Sequence, residues 1–294
     1  MEIREPERLT PVVGEADVIV VGSGPGGLSA AIAAARAGVS VILIERFGCF
    51  GGNITSVGVE GFAWYRHENT IEAGGLAFEY EQRAIESNAA VPESQSKSYE
   101  LDSEGFKVVA DNLVLKAGVR PMLHRAFCAP ILDGDEIKGV ITESKAGREA
   151  IIGKIIIDAT GDADVARRSG VKVFKNKKED MISASVMFHM SGVNKEEFMN
   201  EIERDPQKYS DWSDKNWQVQ TSGKEDDMFS PFLRKPFEKA KDSGLIDSDL
   251  QTISGTWGAI HDSGELTYLN LVHLNGIDGT DPESLTKGEI EGRK

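Results

Sequence analysis

Residues 16–21 (ADVIVV) form a continuously apolar, β-branched run that ends on Gly22, the pattern of a strand buried on both faces of a parallel sheet. In the segment that follows, GSGPGGLSAAIAAARAG, the apolar residues Leu28, Ala31, Ile32 and Ala35 recur at helical spacing, and Gly38 stands where a helix would end. Residues 40–45 (SVILIE) read as a second buried strand. Strand, helix and strand in so short a stretch predict a parallel β-α-β unit with a right-handed crossover, which commits the chain to an α/β sheet covered on both faces.

Glycine is concentrated on this unit. Of 31 glycines in 294 residues, eight lie between positions 22 and 52: Gly22, Gly24, Gly26, Gly27, Gly38, Gly48, Gly51 and Gly52. An even spread would place about three there. The hexapeptide Gly22-Ser23-Gly24-Pro25-Gly26-Gly27 fits G-x-G-x-x-G, follows a predicted strand, opens a predicted helix, and has Glu45 eighteen residues past Gly27 at the end of the next strand. That context makes it a dinucleotide site. Gly22 makes the tight turn, Gly24 lets backbone reach a pyrophosphate, and Gly27 allows close helix–strand packing. The helix N-terminus supplies N–H groups and a positive dipole end, so two phosphate charges need no lysine or arginine. Glu45 can accept from both hydroxyls of an adenosine ribose and would repel a 2'-phosphate, which disfavours NADP.

Composition narrows the class further. Acidic residues number 48 against 33 basic, a net charge of -15, which excludes a nucleic-acid binder driven by phosphate attraction. The 40% apolar content suffices for a large core. Two cysteines cannot build a disulfide framework, residues 1–16 do not form a signal peptide, and no apolar run reaches membrane-spanning length. A cytoplasmic protein that binds no membrane is expected.

The remaining pattern predicts a helix over 71–88, a polar loop over 89–104 and a helix over 106–116 closed by Gly118. Short strands follow over 119–123, 127–132, 137–142 and 150–158, with turns at Asp133-Gly134-Asp135 and Lys145-Ala146-Gly147. These form an antiparallel meander that returns into a buried strand, KIIID. Composition shifts after Gly170. The expected domains are a nucleotide-binding domain over 1–172 and a second domain over 173–294. The second has helices near 195–204 and 231–243, a hairpin of 256–260 with 265–274, and a helix capped at Asp281-Pro282-Glu283.

A second glycine pair, Gly51-Gly52, lies in ERFGCFGGNIT just past Glu45, where a simple NAD dehydrogenase has no need of one. DVIVVGSGPGGLSAAIAAARAGVSVILIERFGCFGGNITS, with the later IIIDATGDADVARRSGV, resembles the bacterial FAD-dependent oxidoreductases of the glutathione-reductase-like FAD/NAD(P)-binding superfamily. Those are distantly similar to the fumarate reductase and succinate dehydrogenase flavoproteins. GIDGTDPESLTKGEIEGRK also resembles the family, so the likeness runs from about residue 11 to the end.

The resemblance implies an α/β fold: a Rossmann-like FAD/NAD(P)-binding domain with an antiparallel β-meander, plus a second α+β substrate or cap domain. It implies FAD as cofactor. Gly22, Gly24 and Gly27, with Pro25 and Gly26 between them, would hold the pyrophosphate, Glu45 the ribose, and Arg46 would border the adenine. Gly51, Gly52 and Asn53 would follow the pyrophosphate and ribityl chain. Ala126 and Phe127 would offer backbone to adenine, and Thr160, Gly161 and Asp162 would close the site. Asp162 also suits an N-cap for a helix over 163–169, and the two roles are compatible.

Since the flavin carries the redox chemistry, the protein positions a substrate and manages a proton. Arg66 and His67, in WYRHE, are candidates for the flavin face, or else belong to a solvated loop. His189, in SASVMFHM, shares a strand face with Ser183 and Ser185, opposite Ala184, Val186, Phe188 and Met190. That face would line a cavity or be an ordinary half-exposed strand. His273 reads as a core histidine, His261 as hairpin tip and His124 as remote from the chemistry. Cys49 is a flavin-attachment or redox thiol, or simply a small loop residue, and Cys128 is too distant to pair with it.

The expected function is hydride transfer between a small organic substrate and flavin N5. The alternatives are an NAD-dependent dehydrogenase, and a flavin-binding module served by a second chain or a homo-oligomeric partner. The family's C-terminal strand and flavin-facing helix are not recognisable after Leu274. An incomplete flavoprotein is therefore expected, either a fragment or one half of a split pair.

Overall fold

The computed structural model describes residues 3–4, 6–61, 74–92, 99–204, 231–248 and 257–294. In chain order the elements are β1 (Val12–Val21), α1 (Pro25–Arg36), β2 (Val41–Ile44), α2 (Leu76–Glu86), β3 (Ala90–Pro92), β4 (Tyr99–Leu101), α3 (Ser103–Lys116), β5 (Arg120–Met122), β6 (Ala126–Asp133), β7 (Glu136–Ser144) and β8 (Gly147–Asp158). They continue with α4 (Asp164–Arg168), β9 (Phe188–Met190), α5 (Lys195–Arg204), α6 (Pro231–Asp242), β10 (Leu266–Leu269) and α7 (Pro282–Gly292). The chain divides into two compact units, one of residues 1–52 and 110–174, the other of 53–109 and 175–294. Residues 53–109 thus count with the second unit, and α3 contributes to both.

The first unit is a six-stranded sheet in the order β5-β2-β1-β8-β7-β6. β1 pairs in parallel with β2 and with β8, and β2 in parallel with β5, as the alternation of buried strand and helix requires. Ile19, Val20, Leu43 and Ile151 are buried, as are Leu28, Ala31 and Ile32 of α1, each large side chain contributing about 1.5–3 kcal/mol of transfer free energy. The meander β6-β7-β8 is antiparallel, and its two-residue turns fall between Asp133 and Glu136 and between Ser144 and Gly147. Pro121 sits on the edge strand β5, where a missing N–H costs no ladder bond.

Two expectations need correction here. The run KIIID is not buried throughout: Ile156 packs on the core while Ile155, on the opposite face, is 58% exposed. A continuous apolar run cannot reveal which face is left uncovered. The polar stretch 89–104 is also more than loop. It holds the antiparallel strands β3 and β4 and the first turn of α3, with Leu101 fully buried. Ladder bonds form irrespective of side-chain polarity, so polar composition hid them.

In the second unit, α2, β3 and β4 pack against the start of α3, where Tyr80 and Phe106 meet edge to face at 5.9 Å between ring centres. A second core gathers Phe198, Trp257, Ile260, Leu266, Leu269 and Leu271, with Phe198 and Trp257 perpendicular at 5.0 Å. β9 pairs antiparallel with β10. α7 begins at Asp281, whose side chain accepts from the Glu283 N–H, with Pro282 in the first turn, the N-cap arrangement its sequence predicts. Among the described residues no helix is long and apolar enough to cross a membrane.

One polar tie joins three parallel strands of the first unit. Asp17 of β1 accepts from the Ser40 N–H (3.0 Å) and hydroxyl (2.5 Å) just before β2, and from Lys154 Nζ of β8 (2.6 Å). The Lys154 ammonium and then the Ser40 donors hold the Asp17 carboxyl well below the usual carboxylate range. A lowered folded value adds stability above the unfolded value of ~3.9 that is lost as pH falls below it. Asp17→Asn should therefore lower the melting temperature at about pH 7, and the gap from wild type should shrink towards about pH 3 in parallel thermal melts.

Candidate functional site

The β1–α1 turn is built by backbone approach. Gly22 has φ +97°, and a Cβ there would lie 2.2 Å from the Ala159 carbonyl oxygen at the end of β8. A Cβ on Gly27 would stand 1.9 Å from the Gly22 oxygen and 3.1 Å from the Ala159 Cβ. Gly24 and Gly26 differ: nothing lies within 4 Å of a Cβ on either. The motif thus contains two glycines required for packing and two that leave open space. The first α1 hydrogen bond runs from the Leu28 N–H to the Gly24 oxygen, so the Gly26 and Gly27 N–H groups lie upstream of the helical ladder at its positive end.

The second glycine pair joins this turn. The Gly51 N–H donates to the Ser23 oxygen at 2.9 Å, and a Cβ on Gly52 (φ +55°) would lie 2.6 Å from the Gly24 Cα. The segment after β8 joins it too, since the Thr160 nitrogen stands 3.0 Å from the Cβ position of Gly22. The structure therefore brings Gly22, Gly24, Gly27, Gly51, Gly52 and Thr160 together at the β1–α1 turn. Pro25 and Gly26 are exposed at the first turn of α1. Asn53 follows directly in the chain and opens a π-helical turn, Asn53–Val57, that counts with the second unit.

Glu45 is buried at the end of β2, and its carboxylate is already engaged. Oε2 accepts from the Ser23 N–H (2.9 Å) and hydroxyl (2.6 Å), and Oε1 from the Phe47 N–H (2.9 Å). Of the roughly four acceptor places on a carboxylate, about one remains, on Oε1, so an acceptor for two ribose hydroxyls at once is more than the geometry leaves free. Ser23, one of the variable positions of the motif, is the partner that sequence reasoning overlooked. Its signal was a hydroxyl inside a buried turn.

Arg46 is exposed, with its guanidinium 4.6 Å from the Phe47 ring centre. The backbone partners of 45–47 are Met122, whose oxygen accepts from the Glu45 N–H (2.9 Å), Arg125, whose N–H donates to the Glu45 oxygen (2.9 Å), and His124, whose N–H donates to the Phe47 oxygen (3.1 Å). The His124 ring also lies against Gly48, 2.8 Å from its Cβ position, so His124 borders the loop after β2. Phe127 packs against the sheet core, with Arg168 5.6 Å from its ring centre.

The N-terminus of α4 corrects the N-cap reading of Asp162. The Asp164 N–H donates to the Thr160 hydroxyl (2.9 Å) and the Ala166 N–H to Asp158 Oδ2 (2.9 Å), while Asp158 Oδ1 holds the Thr160 hydroxyl (2.7 Å). Asp158 and Thr160 cap this short helix, and Gly161 and Asp162 are exposed beside it. Cys49 and Cys128 are not in a disulfide.

Arg66 and His67 lie outside the described residues. His189 belongs to the second unit, on β9. Its neighbours Phe188 and Met190 are exposed rather than filling an apolar face, because the strand is only three residues long. Ser183 and Ser185 hydrogen-bond to Asn275 and Asn270. Against His189 stands Glu60, 2% exposed, whose Oε1 is 3.8 Å from the ring Nε2. No sequence pattern marked that glutamate. His273 is half-buried.

A strand, a glycine turn closed on a neighbouring strand, an open helix N-terminus and an acid ending the second strand define a dinucleotide-binding α/β protein. The FAD dependent oxidoreductase family model matches residues 17–294, and the chain belongs to that family. Its cofactor is FAD, in keeping with the open space at Gly24 and Gly26 beside a helix N-terminus. The chain is 30% identical over 171 residues to thiamine thiazole synthase of Saccharolobus islandicus, covering 54% of this chain and 60% of the relative. It is also 30% identical over 192 residues to digeranylgeranylglycerophospholipid reductase 2 of Methanopyrus kandleri, covering 62% and 46%. The chain thus spans 46–60% of the length of these curated relatives. Among solved structures, a geranylgeranyl bacteriochlorophyll reductase-like protein of Thermoplasma acidophilum is similar, with TM-score 0.49, 24% identity and coverage of 62% of this chain and 48% of that one.

The contrast within the glycine motif is testable by melting alone. Gly27→Ala should cost about 3 kcal/mol or more, because its Cβ meets backbone that has nowhere to go. Gly24 is at an extended N-cap position (φ -60°), so Gly24→Ala should stay within about 1 kcal/mol of wild type.

Proposed function

We propose that the first unit holds FAD and the second binds a small organic substrate, and that the protein transfers a hydride between that substrate and flavin N5. The observation that carries this reading is the paired behaviour of the glycines. Gly22 and Gly27 are closed by backbone at 2.2 and 1.9 Å, while Gly24 and Gly26 between them face open space.

In this reading the Gly26 and Gly27 N–H groups take the pyrophosphate, with Pro25 setting the first turn of α1 in place of a further donor. Gly51 and Gly52, locked to Ser23 and Gly24, keep the opposite wall free of side chains, and Asn53 continues along the chain of the cofactor. Glu45 offers its remaining acceptor place to a ribose hydroxyl. Arg46, Phe127, Thr160, Gly161 and Asp162 border the cofactor, and His124 and Arg125 extend the adenine side. Bound FAD supplies the hydride-accepting chemistry, and the protein contributes position and a proton carrier. Arg66, His67 and His189 are the proposed residues for the substrate side. The proposed setting is the cytoplasm.

The test is a titration of the 294-residue chain with FAD, followed by quenching of flavin fluorescence. Stoichiometric binding is expected, and Gly24→Ala should raise the dissociation constant at least about tenfold, about 1.4 kcal/mol, while remaining folded. An anaerobic panel of sugars, polyols and organic acids should contain a compound that bleaches the flavin absorbance. Failure to take up FAD, or equal affinity in Gly24→Ala, would sink the assignment of the site. Uptake by this chain unaided would also show that no second chain is needed to hold the cofactor.

A further inference from the structure

The second unit contains a buried carboxylate, Glu60, that the flavin site does not use. It is 2% exposed. Its Oε1 accepts from the Ser103 N–H at 3.0 Å, and the Ser103 and Thr267 hydroxyls also donate to the carboxylate. The Glu60 backbone oxygen accepts from the Leu101 N–H at 3.0 Å. The donors fixing this carboxylate are therefore neutral, and they come from the α3 N-terminus and the bulged strand β10.

The titratable group facing Glu60 among the described residues is His189, with Nε2 3.8 Å from Glu60 Oε1. The other ring nitrogen, Nδ1, lies 3.9 Å from Oε1 of Glu265, a side chain 47% exposed. The ring is also held from below by backbone. Gly58 has φ +80°, and a Cβ there would stand 3.1 Å from His189 Nε2. One nitrogen thus faces a buried acid and the other faces a solvated one. The ring itself is on a short, exposed strand.

The neighbouring backbone carries strain at the same place. Tyr268 has φ +51° within β10, and the pairing with β9 slips there: Leu266 opposes Met190, yet Leu269 opposes Phe188. This is a β-bulge at a non-glycine left-handed residue, a conformation that costs of order 1–3 kcal/mol and persists where surrounding structure imposes it. The residue before it is Thr267, a donor to Glu60.

We propose that Glu60 and His189 form one proton-accepting pair, in which the Glu60 carboxylate, 3.8 Å from Nε2, favours the ring proton on that nitrogen by charge and leaves Nδ1 as the acceptor for a substrate proton. When an O–H or N–H bond of the substrate breaks, its electron pair stays on the substrate heteroatom and its proton passes to Nδ1. Glu60 stabilises the imidazolium so formed, and Glu265 passes the proton to water. Glu60 acts through His189 and is a positioning residue. The proton role rests on the reading that the second unit binds the substrate, whereas the pairing itself does not.

A buried acid opposite a half-exposed imidazole is costly as a purely structural device, which favours a functional reason for keeping it. Burial holds the Glu60 carboxyl above its ordinary value, its hydroxyl and N–H donors and His189 offsetting only part of that effect. The ionised form is thus the one most in need of the imidazolium.

The experiment uses the full chain without cofactor, so its outcome is separate from that of FAD binding. Nitrogen NMR of the 15N-histidine-labelled chain should show His189 protonated on Nε2 with Nδ1 unprotonated, a signal pair that is lost in His189→Gln. In Glu60→Gln that preference should give way to a mixture of the two tautomers, whereas in Glu265→Gln it should persist. Diethyl pyrocarbonate, an electrophile standing in for the proton, should acylate His189 in wild type, read by mass spectrometry with the other four histidines as internal controls. That rate should fall at least about twofold in Glu60→Gln, where the ring no longer faces a carboxylate at Nε2. Glu60→Asp, which keeps the charge on a shorter arm, should fall between the two and serves if the glutamine variant does not fold. The pairing is overturned if the wild-type spectrum shows the His189 proton on Nδ1 rather than Nε2. An unchanged acylation rate in both Glu60 variants overturns it equally.

Discussion

The approach of α1 to β1 through two glycines is the constraint on which the cofactor half depends. The Gly22 oxygen occupies the place of a Gly27 side chain, and the Ala159 oxygen occupies that of Gly22. Contact this close pulls the helix N-terminus down onto the carboxyl end of the central strand. There, the end of β2 and the segment after β8 converge, since β2 and β8 flank β1 on either side. Any side chain at either glycine would lift α1 off the sheet. Glu45, Ser23, Gly52 and Thr160 would then lose the reference that places them. The order of the strands, rather than any single bond, puts the open space where parallel sheets bind nucleotides.

At the β1–α1 turn charge is handled by backbone and hydroxyl donors, an arrangement that suits a chain of net charge -15 to an anionic ligand. The negative groups that build the turn are neutralised locally by backbone N–H groups and hydroxyls: Glu45 by Ser23 and Phe47, Asp158 by Thr160 and Ala166. The helix N-terminus is thereby left unspent for a ligand. Surplus acid elsewhere on the surface is screened at physiological ionic strength beyond about 8 Å, so it does not reach the cradle with full force. Ion pairs with true cations serve the scaffold instead, as Lys154 does for Asp17 and Lys175 for Asp278, whose carboxyl is drawn down to about 2.

Much of the first unit was legible because its signals are local. The apolar run into Gly22, the helical spacing of Leu28 and Ile32, and the two-residue turns at Gly134 and Gly147 each report a conformation within a few residues. What escaped was set by distant partners. Asp162 looked like the cap of α4 from its position alone, but the cap is Asp158 together with Thr160, because the turn places Ala163 at φ +57° and carries Asp162 outward. The contact of His124 with Gly48 escaped because nothing in either stretch ties the two together. The second unit was harder still, since its strands are three or four residues long and its polar segment 89–104 pairs through backbone.

Glu60 shows why such residues are hidden. In SVGVEGF it alternates with valines and would be read as the solvent side of a strand, yet it is among the most buried acids described. Burial of an acid is invisible to periodicity because periodicity assumes that polar faces meet water. The neutral donors that make it tolerable, Ser103 and Thr267, lie 43 and 207 residues away along the chain. The same pairing of acid with serine recurs at Ser23 with Glu45 and Ser40 with Asp17. In those cases a tight turn or a strand edge explains the acid. At Glu60 the ring of His189 is the one titratable partner that the described residues bring against it, and the strained Tyr268 lies beside a donor to that same carboxylate. Cost and placement coincide there, which is the argument for regarding this corner of the second unit as built for chemistry rather than for packing.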